Sequence, residues 1–164
     1  MTSLMHTGNV PAAETSEWDM ETDTETVSKL EEIGTATLPI LESLAERLPT
    51  LEGAMLCTAD GYNLCALGLE SYQVGRLAAM TSTMFSVSNG AIDAITSDDK
   101  EATPLEQVTL KSGDSQYMIY PIQHDQLGYL LMSMWAQEIT LGEFLMEAKI
   151  SARELTRLVQ IEDL

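Results

Sequence analysis

Few side chains in this sequence have the types and spacing that catalysis requires. A cysteine nucleophile needs a neighbouring base, and the chain offers only Cys57, Cys65, His6 and His124, in spacings that match no zinc motif. There is no G-x-x-x-x-G-K-[ST] phosphate loop and no G-x-S-x-G elbow. We therefore expect no catalytic residue, metal site or cofactor, and we expect both cysteines to be reduced and partly buried.

Two arginines are the residues that could act on a substrate held by another protein. Arg47 and Arg76 both fall in segments with helical patterning. An activating protein can insert an arginine into its partner's phosphoryl-transfer site. The competing interpretation is that each arginine has a structural role on a helix surface.

Charge and hydropathy limit the classes of partner. The chain has 164 residues, a net charge of −18 and a hydrophobic fraction of 45%, which is enough apolar material for one domain with a core. Its eight basic residues are scattered, so we expect no binding to nucleic acid or to anionic membranes, whereas a basic protein partner is permitted. No apolar run reaches 18 residues and no signal peptide is evident at the start, so we expect no membrane insertion and a cytoplasmic location.

The stretch from Ser71 to Thr96 contains no proline and only two charged residues, Arg76 and Asp93, and it predicts a long helix with two non-polar faces. The first face has the spacing of a helix on a core and comprises Val74, Leu77, Ala78, Thr81, Phe85, Ser88, Ile92 and Ile95. The second face lies nearly opposite and comprises Arg76, Met80, Thr83, Val87, Gly90 and Ala94. Either this second face packs on a second copy of the helix, or it is sandwiched inside the domain or is simply a neutral surface.

The N-terminal segment, residues 1–26, predicts a disordered acidic tail, and residues 27–164 predict the folded domain. The segment carries many Glu, Asp, Thr and Ser residues and too few apolar ones to compensate the entropy lost on ordering. Trp18 and Met20 stand out in it. Trp18 either does nothing specific or anchors a short linear motif in a basic groove.

The rest of the chain predicts an α+β fold in the order α-β-β-α-β-β-β-α. A helix starts near Thr37, with Pro39 in its first turn, and earlier helical turns could form a separate short helix. The predicted strands span residues 53–58, 62–67, 105–111, 116–122 and 128–135, and the last lies centrally because it is apolar at nearly every position. A capping box, Thr140 to Glu143, opens the last helix, which reaches about Ile161.

This ordered set of elements resembles the roadblock / dynein light chain family. The matching stretch begins with LPILESLAERLPTLEGAMLCTADGYNLCAL (38–67) and continues through RLAAM (76–80) and the GDSQYMIYPI hairpin. No single motif is specific, and the acidic tail lies outside the family pattern. The resemblance implies a five-stranded antiparallel sheet packed with helices, of the roadblock, profilin-like type.

The same resemblance implies a non-enzymatic function. Family members regulate or serve as platforms for small Ras-like GTPases, or act as adaptors, and the stand-alone bacterial, MglB-like members activate a partner GTPase by ordering its own catalytic loops. The implied homodimer uses the long helix and the strand after it, so the expected interface comprises Arg76, Met80, Thr83, Val87, Gly90, Ala94, Glu106, Val108 and Leu110. The alternatives are a structural adaptor without effect on GTP hydrolysis, or a small-molecule sensor with a polar-lined pocket.

Overall fold

In the described part of the chain, three helices and five strands follow one another in the predicted order. In the computed structural model, residues 17–96 and 103–161 are described, with side chains from Thr24 onward. The elements are α1 (Glu17–Arg47), β1 (Leu51–Thr58), β2 (Asn63–Leu67), α2 (Ser71–Ile95), β3 (Val108–Ser112), β4 (Ser115–His124), β5 (Gly128–Gln137) and α3 (Leu141–Ile161). The α+β fold class is thereby confirmed.

The strands form a single antiparallel sheet in the order β2-β1-β5-β4-β3. Strand β5 is central, as its nearly continuous apolar sequence predicted, and five consecutive residues, 130–134, are buried. Asp60-Gly61 turns the chain between β1 and β2, and Gly61 has φ +92°, a conformation that a side chain would disfavour.

The helices cover the two faces of the sheet unequally. Helices α1 and α3 pack together on one face, where Leu41, Leu44, Met132 and Phe144 are fully buried. Helix α2 is the one described helix on the other face, where it covers a smaller apolar cluster that includes Met55, Ile119 and Leu131. The sheet is thus the middle of three layers, with one two-helix layer and one single-helix layer.

Helix α1 is one continuous helix, so the predicted start near Thr37 is wrong. The Thr37 hydroxyl does not cap a helix but donates to the Ile33 carbonyl oxygen at 2.7 Å, within the helix. Pro39 lies inside the helix. Its ring denies the Thr35 carbonyl a donor, and both residues are exposed, so water can satisfy that carbonyl.

The start of α1 at Glu17 lies inside the segment predicted as a tail. Residues 1–16 are outside the described part of the chain, and residues 24–28 are exposed. Among the side chains described from Thr24 onward, the first buried one is Leu30. Residues 24–28 of the helix therefore lie outside the packed core, and the division at residue 26 stays a prediction.

Gly34 sets how closely α1 approaches the sheet. A Cβ at this position would lie 2.2 Å from the Leu64 carbonyl oxygen of β2. Only glycine permits this separation, which brings Ile33 and Leu41 onto the sheet. At the other helix of this layer, the Thr140 hydroxyl accepts a hydrogen bond from the Glu143 amide at 3.3 Å, so Thr140 caps the start of α3 as predicted.

Candidate dimer and partner interface

Helix α2 is held on the sheet by its central residues. The Glu70 amide donates to the Gln73 side chain at 3.0 Å, which caps the start of the helix. Thr81 and Tyr117 share a hydrogen bond between their hydroxyl groups at 2.6 Å. The rings of Phe85 and Tyr129 pack with centroids 5.6 Å apart. These contacts fix both the position of α2 and its rotation about its axis.

The second face of α2 is exposed. All six of its residues, Arg76, Met80, Thr83, Val87, Gly90 and Ala94, are accessible to solvent. The side chains of Met80 and Val87 are 48% and 67% exposed. The interpretation in which this face is sandwiched inside its own domain is therefore wrong, and an apolar helix face is left for another molecule or for water.

The end of the first face departs from its prediction. Ala78, Thr81 and Phe85 are buried against the sheet as expected, but Ile95 is 79% exposed. The apolar cluster beneath α2 includes helix residues only as far as Phe85, so the last turn of the helix lies beyond it. The helical pattern alone could not show where the support ends.

The edge strand β3 lies beside this helix. Within the described ranges its only strand partner is β4, so no described strand pairs with its other edge. The strand begins at Val108, not at the predicted Leu105, and Glu106 therefore precedes it in an exposed position. Val108 packs against the cluster under α2, whereas Leu110 is 47% exposed. Of the three predicted interface residues here, Leu110 has the most accessible apolar side chain.

An aromatic groove next to α2 was not predicted from the sequence. The rings of Trp135 and Tyr117 stack with centroids 6.2 Å apart. Opposite Trp135 is Gly53, whose Cβ, if present, would lie 2.1 Å from the indole ring. A cavity of about 410 Å³ opens between this stack and the N-terminal half of α2, where Tyr72, Arg76 and Met80 line it.

The sequence signal for this groove is the pairing of a glycine on β1 with a tryptophan on β5. That signal becomes visible only when the strand register is known. The lining is mainly apolar, so the groove differs from the polar-lined pocket that the small-molecule sensor hypothesis requires.

The two candidate arginines have different environments. Arg47 bridges α1 and α3, with Nε 2.9 Å from Glu147 Oε2, and its guanidinium also donates to Ser43 and Ser151. All three of its guanidinium nitrogens therefore donate to groups within the fold. Arg76 is exposed on the second face of α2 and lines the aromatic groove. Only Arg76 is placed where it could reach a partner.

The remaining candidate nucleophiles, Cys57 and Cys65, and the candidate base, His124, are buried within the fold. Burial, reinforced by the charge of Asp60, raises the pKa of Cys57 to about 12. Burial also raises the pKa of Cys65, and both cysteines are free. His124 Nδ1 accepts hydrogen bonds from the Gln126 and Leu127 amides in the β4–β5 turn. Both cysteines therefore stay protonated and unreactive near neutral pH.

Within the described ranges, no group of three or more His, Cys, Asp or Glu side chains is arranged to hold a metal ion. Likewise, none of the described helices is long and apolar enough to span a membrane.

Comparison with known proteins places the fold. No protein-family profile matches the chain, and no curated protein sequence matches it. Solved structures do match: a Roadblock/LC7 domain from Streptomyces avermitilis has a TM-score of 0.60 at 16% identity, covering 75% of this chain and 93% of that one. The fold is therefore of the roadblock type.

Two solved MglB structures are similar to the same extent. Myxococcus xanthus MglB has a TM-score of 0.65 at 12% identity and covers 77% of this chain and 90% of that one. The gliding protein MglB from Thermus thermophilus has a TM-score of 0.61 at 13% identity and covers 78% of this chain and 91% of that one. The predicted roadblock, MglB-like fold is confirmed, at identities that carry the fold alone.

Proposed function

We propose that this chain forms a homodimer through α2 and β3, and that the dimer binds and regulates a small Ras-like GTPase without being an enzyme itself. The observation that carries the proposal is the exposed, almost uncharged second face of α2, on a fold shared with MglB. The activity is the one that the roadblock resemblance implies.

The geometry of α2 suits helix-to-helix packing. A helix of 25 residues is about 37 Å long, enough to span a domain-sized interface. A Cβ built on Gly90 meets nothing within 4 Å, so this glycine serves no packing role inside the chain. Because Gly90 has no side chain, a neighbouring helix can approach closely. Val87 and Met80 supply exposed apolar area on the same face.

Strand β3 extends the same surface. Its free edge can accept a further strand, and Leu110 offers an exposed apolar side chain on that strand. The helix and strand together supply both apolar area and backbone hydrogen bonds. The second face of α2 and the edge of β3, each small on its own, thereby form a single interface.

Two mechanisms of regulation make different demands on Arg76. If the dimer orders the GTPase's own catalytic loops, Arg76 contributes only binding, and its loss leaves the maximal rate largely unchanged. If Arg76 enters the GTPase site, its loss reduces the rate by a factor of about 10³ or more. We favour loop ordering, which the MglB-like resemblance implies.

The test is GTP hydrolysis by a small Ras-like GTPase from the same genome, measured with and without this protein. We expect acceleration of about tenfold or more, loss of acceleration with Gly90→Arg, and retention with Gly142→Arg. Gly142 is a matched control because a Cβ there also meets nothing within 4 Å, on a different helix. Binding that is independent of bound nucleotide, without acceleration, would instead establish a structural adaptor.

A further inference from the structure

Three of the chain's eight basic residues form one row on α3. Lys149, Arg153 and Arg157 are spaced by four residues, so they lie on one face of the helix, and all three are exposed. Among the described residues, the only ion pair within 4.0 Å is the one between Arg47 and Glu147. No described acidic side chain of the same chain therefore forms an ion pair with this row, although the chain carries 26 acidic residues.

An apolar groove runs beside this basic row. It has a volume of about 300 Å³, and Ile40, Leu158 and Ile161 line it together with Glu154 and Arg157. Ile161 is 79% exposed at the end of α3. The surface thus offers cationic and apolar contacts side by side, which fits an acidic segment that also carries large apolar residues.

The N-terminal arm of α1, residues 17–25, has that composition. It contains five acidic residues and no basic one, and Trp18 and Met20 lie among them. Its backbone is helical from Glu17, and Leu30 is the first buried residue among the helix side chains described from Thr24 onward. The 13 residues before Leu30 extend for about 20 Å, which exceeds the 12 Å or so that the basic row spans along α3.

The arm leads away from the basic row of its own chain. Arg47 contacts Glu147 near the start of α3, whereas Ile40 lies beside Arg157 and Ile161 near its end. The two helices are therefore antiparallel, and the N-terminal half of α1 continues past the end of α3. A continuous helix cannot return to that row, but the arm of a second copy can lie along it.

We propose that the acidic arm of one copy binds the basic row and the adjoining groove on α3 of a second copy. A two-fold arrangement lets both copies exchange arms at once. The contact lies on the α1/α3 side of the sheet, opposite α2, so it does not depend on the function proposed above. Together with a contact through α2, it makes assemblies larger than a dimer.

The test is sedimentation velocity of the full chain over a range of concentrations. One variant reverses the basic row (Lys149→Glu, Arg153→Glu, Arg157→Glu), and the other reverses the arm (Glu17→Lys, Asp19→Lys, Glu21→Lys). We expect each variant to associate at least about tenfold more weakly than the native chain. We also expect the native association to weaken as salt rises, because exposed charges are screened.

An equimolar mixture of the two variants is the matched control. Each variant alone opposes like charges, whereas the mixture again places opposite charges together, so the mixture should recover the native association. Gly90→Arg should leave this recovery intact, which separates it from an α2 contact. Circular dichroism verifies that both variants are folded.

Three results would overturn the proposal. The native chain could show no association beyond that of the row variant, which would also be the outcome if the arm bound its own chain. The mixture could fail to associate. Finally, the row could bind vesicles of phosphatidylglycerol while arm reversal left self-association unchanged, which would make it a lipid contact.

Discussion

The two faces of the sheet differ in how completely they are covered. On the α1/α3 face, two helices enclose large side chains that have no exposure at all, including Leu41, Leu44 and Phe144. On the α2 face, one helix covers part of the sheet and leaves the Trp135–Tyr117 stack beside an open groove. The comparison indicates that the first face supplies most of the stability, whereas the second leaves apolar surface exposed.

The difference is visible in the residues that the helices present. The side of α3 toward the sheet carries Phe144 and Leu155, which fill the core, with Ala148 and Ala152 allowing close approach. The buried residues of α2 are fewer, Ala78, Thr81 and Phe85, and only one of them has a large apolar side chain. Less apolar area is therefore buried under α2, and less stabilisation is expected there.

Removing a large side chain from each face gives the largest expected contrast. Phe144→Ala should lower the free energy of unfolding by about 3–5 kcal/mol, because it leaves a cavity in a closed core. Val87→Ala on the open face should change it by less than about 0.5 kcal/mol. Urea unfolding in a Gly90→Arg background at high salt, which removes the α2 contact and screens contacts between charged surfaces, checks both values. Similar losses at the two sites would erase the distinction between the faces.

Two glycines sharpen the comparison through steric fit. Gly34→Ala should destabilise the chain by about 2–3 kcal/mol, because the added Cβ would lie 2.2 Å from the Leu64 carbonyl oxygen. Gly90→Ala meets no atom within 4 Å and should stabilise the isolated chain by about 0.5–1 kcal/mol through helix propensity. Thermal melting of both variants at low concentration distinguishes them by the sign of the shift. A Gly34→Ala variant with unchanged thermal stability would mean that α1 shifts easily on the sheet.

The arginines extend the contrast to polar contacts. Arg47→Ala should cost about 1–2 kcal/mol, since Glu147 loses its partner and the Ser43 and Ser151 contacts disappear. Arg76→Ala should leave stability within about 0.5 kcal/mol and change only partner binding. Denaturant titration of the two variants provides the measurement. A loss of stability with Arg76→Ala would show that this side chain belongs to the fold.

Cys57 provides the smallest effect, which depends on pH. Its pKa rises from 9.0 to about 12 on folding, mainly because of burial. Below pH 9 the Cys57 thiol is mostly protonated in both the folded and the unfolded state, so its ionisation does not change the free energy of unfolding. Between about pH 9 and 12 the unfolded state releases the proton first, so stability falls as pH rises.

The Cys57→Ser variant should show less of this alkaline loss, as measured by urea unfolding at pH 8 and pH 10. Native Cys57 and Cys65 should also react slowly with Ellman's reagent at pH 8, and both should react at once in denaturant. Rapid reaction of the native protein would mean that the sheet opens around the thiols.

The order of elements and the central position of β5 could be predicted from sequence because each depends on local pattern. Alternating or continuous apolar residues predict strands, and Asp60-Gly61 predicts a hairpin. The continuity of α1 could not be predicted, since Pro39 ordinarily ends a helix and its cost depends on exposure. The exposure of Ile95 and the Trp135 groove depend on how α2 lies on the sheet, which is a tertiary property.

Only part of the candidate interface could be predicted from the sequence. The low charge of the second α2 face predicted a surface suited to packing, and its exposure in the fold agrees with that. For β3, sequence could not show that Val108 packs under α2 while Leu110 is accessible, because this requires the register with β4. That the six α2 residues contact a second copy remains a prediction.

The most direct test of the central claim is the mass of the native chain and its Gly90→Arg and Gly142→Arg variants by light scattering, in high salt that suppresses contacts between charged surfaces. We expect the native chain and Gly142→Arg to be dimers, and Gly90→Arg to be a folded monomer with a native circular dichroism spectrum. A Gly90→Arg variant that remains dimeric would contradict the assignment of the second face of α2 as the dimer interface.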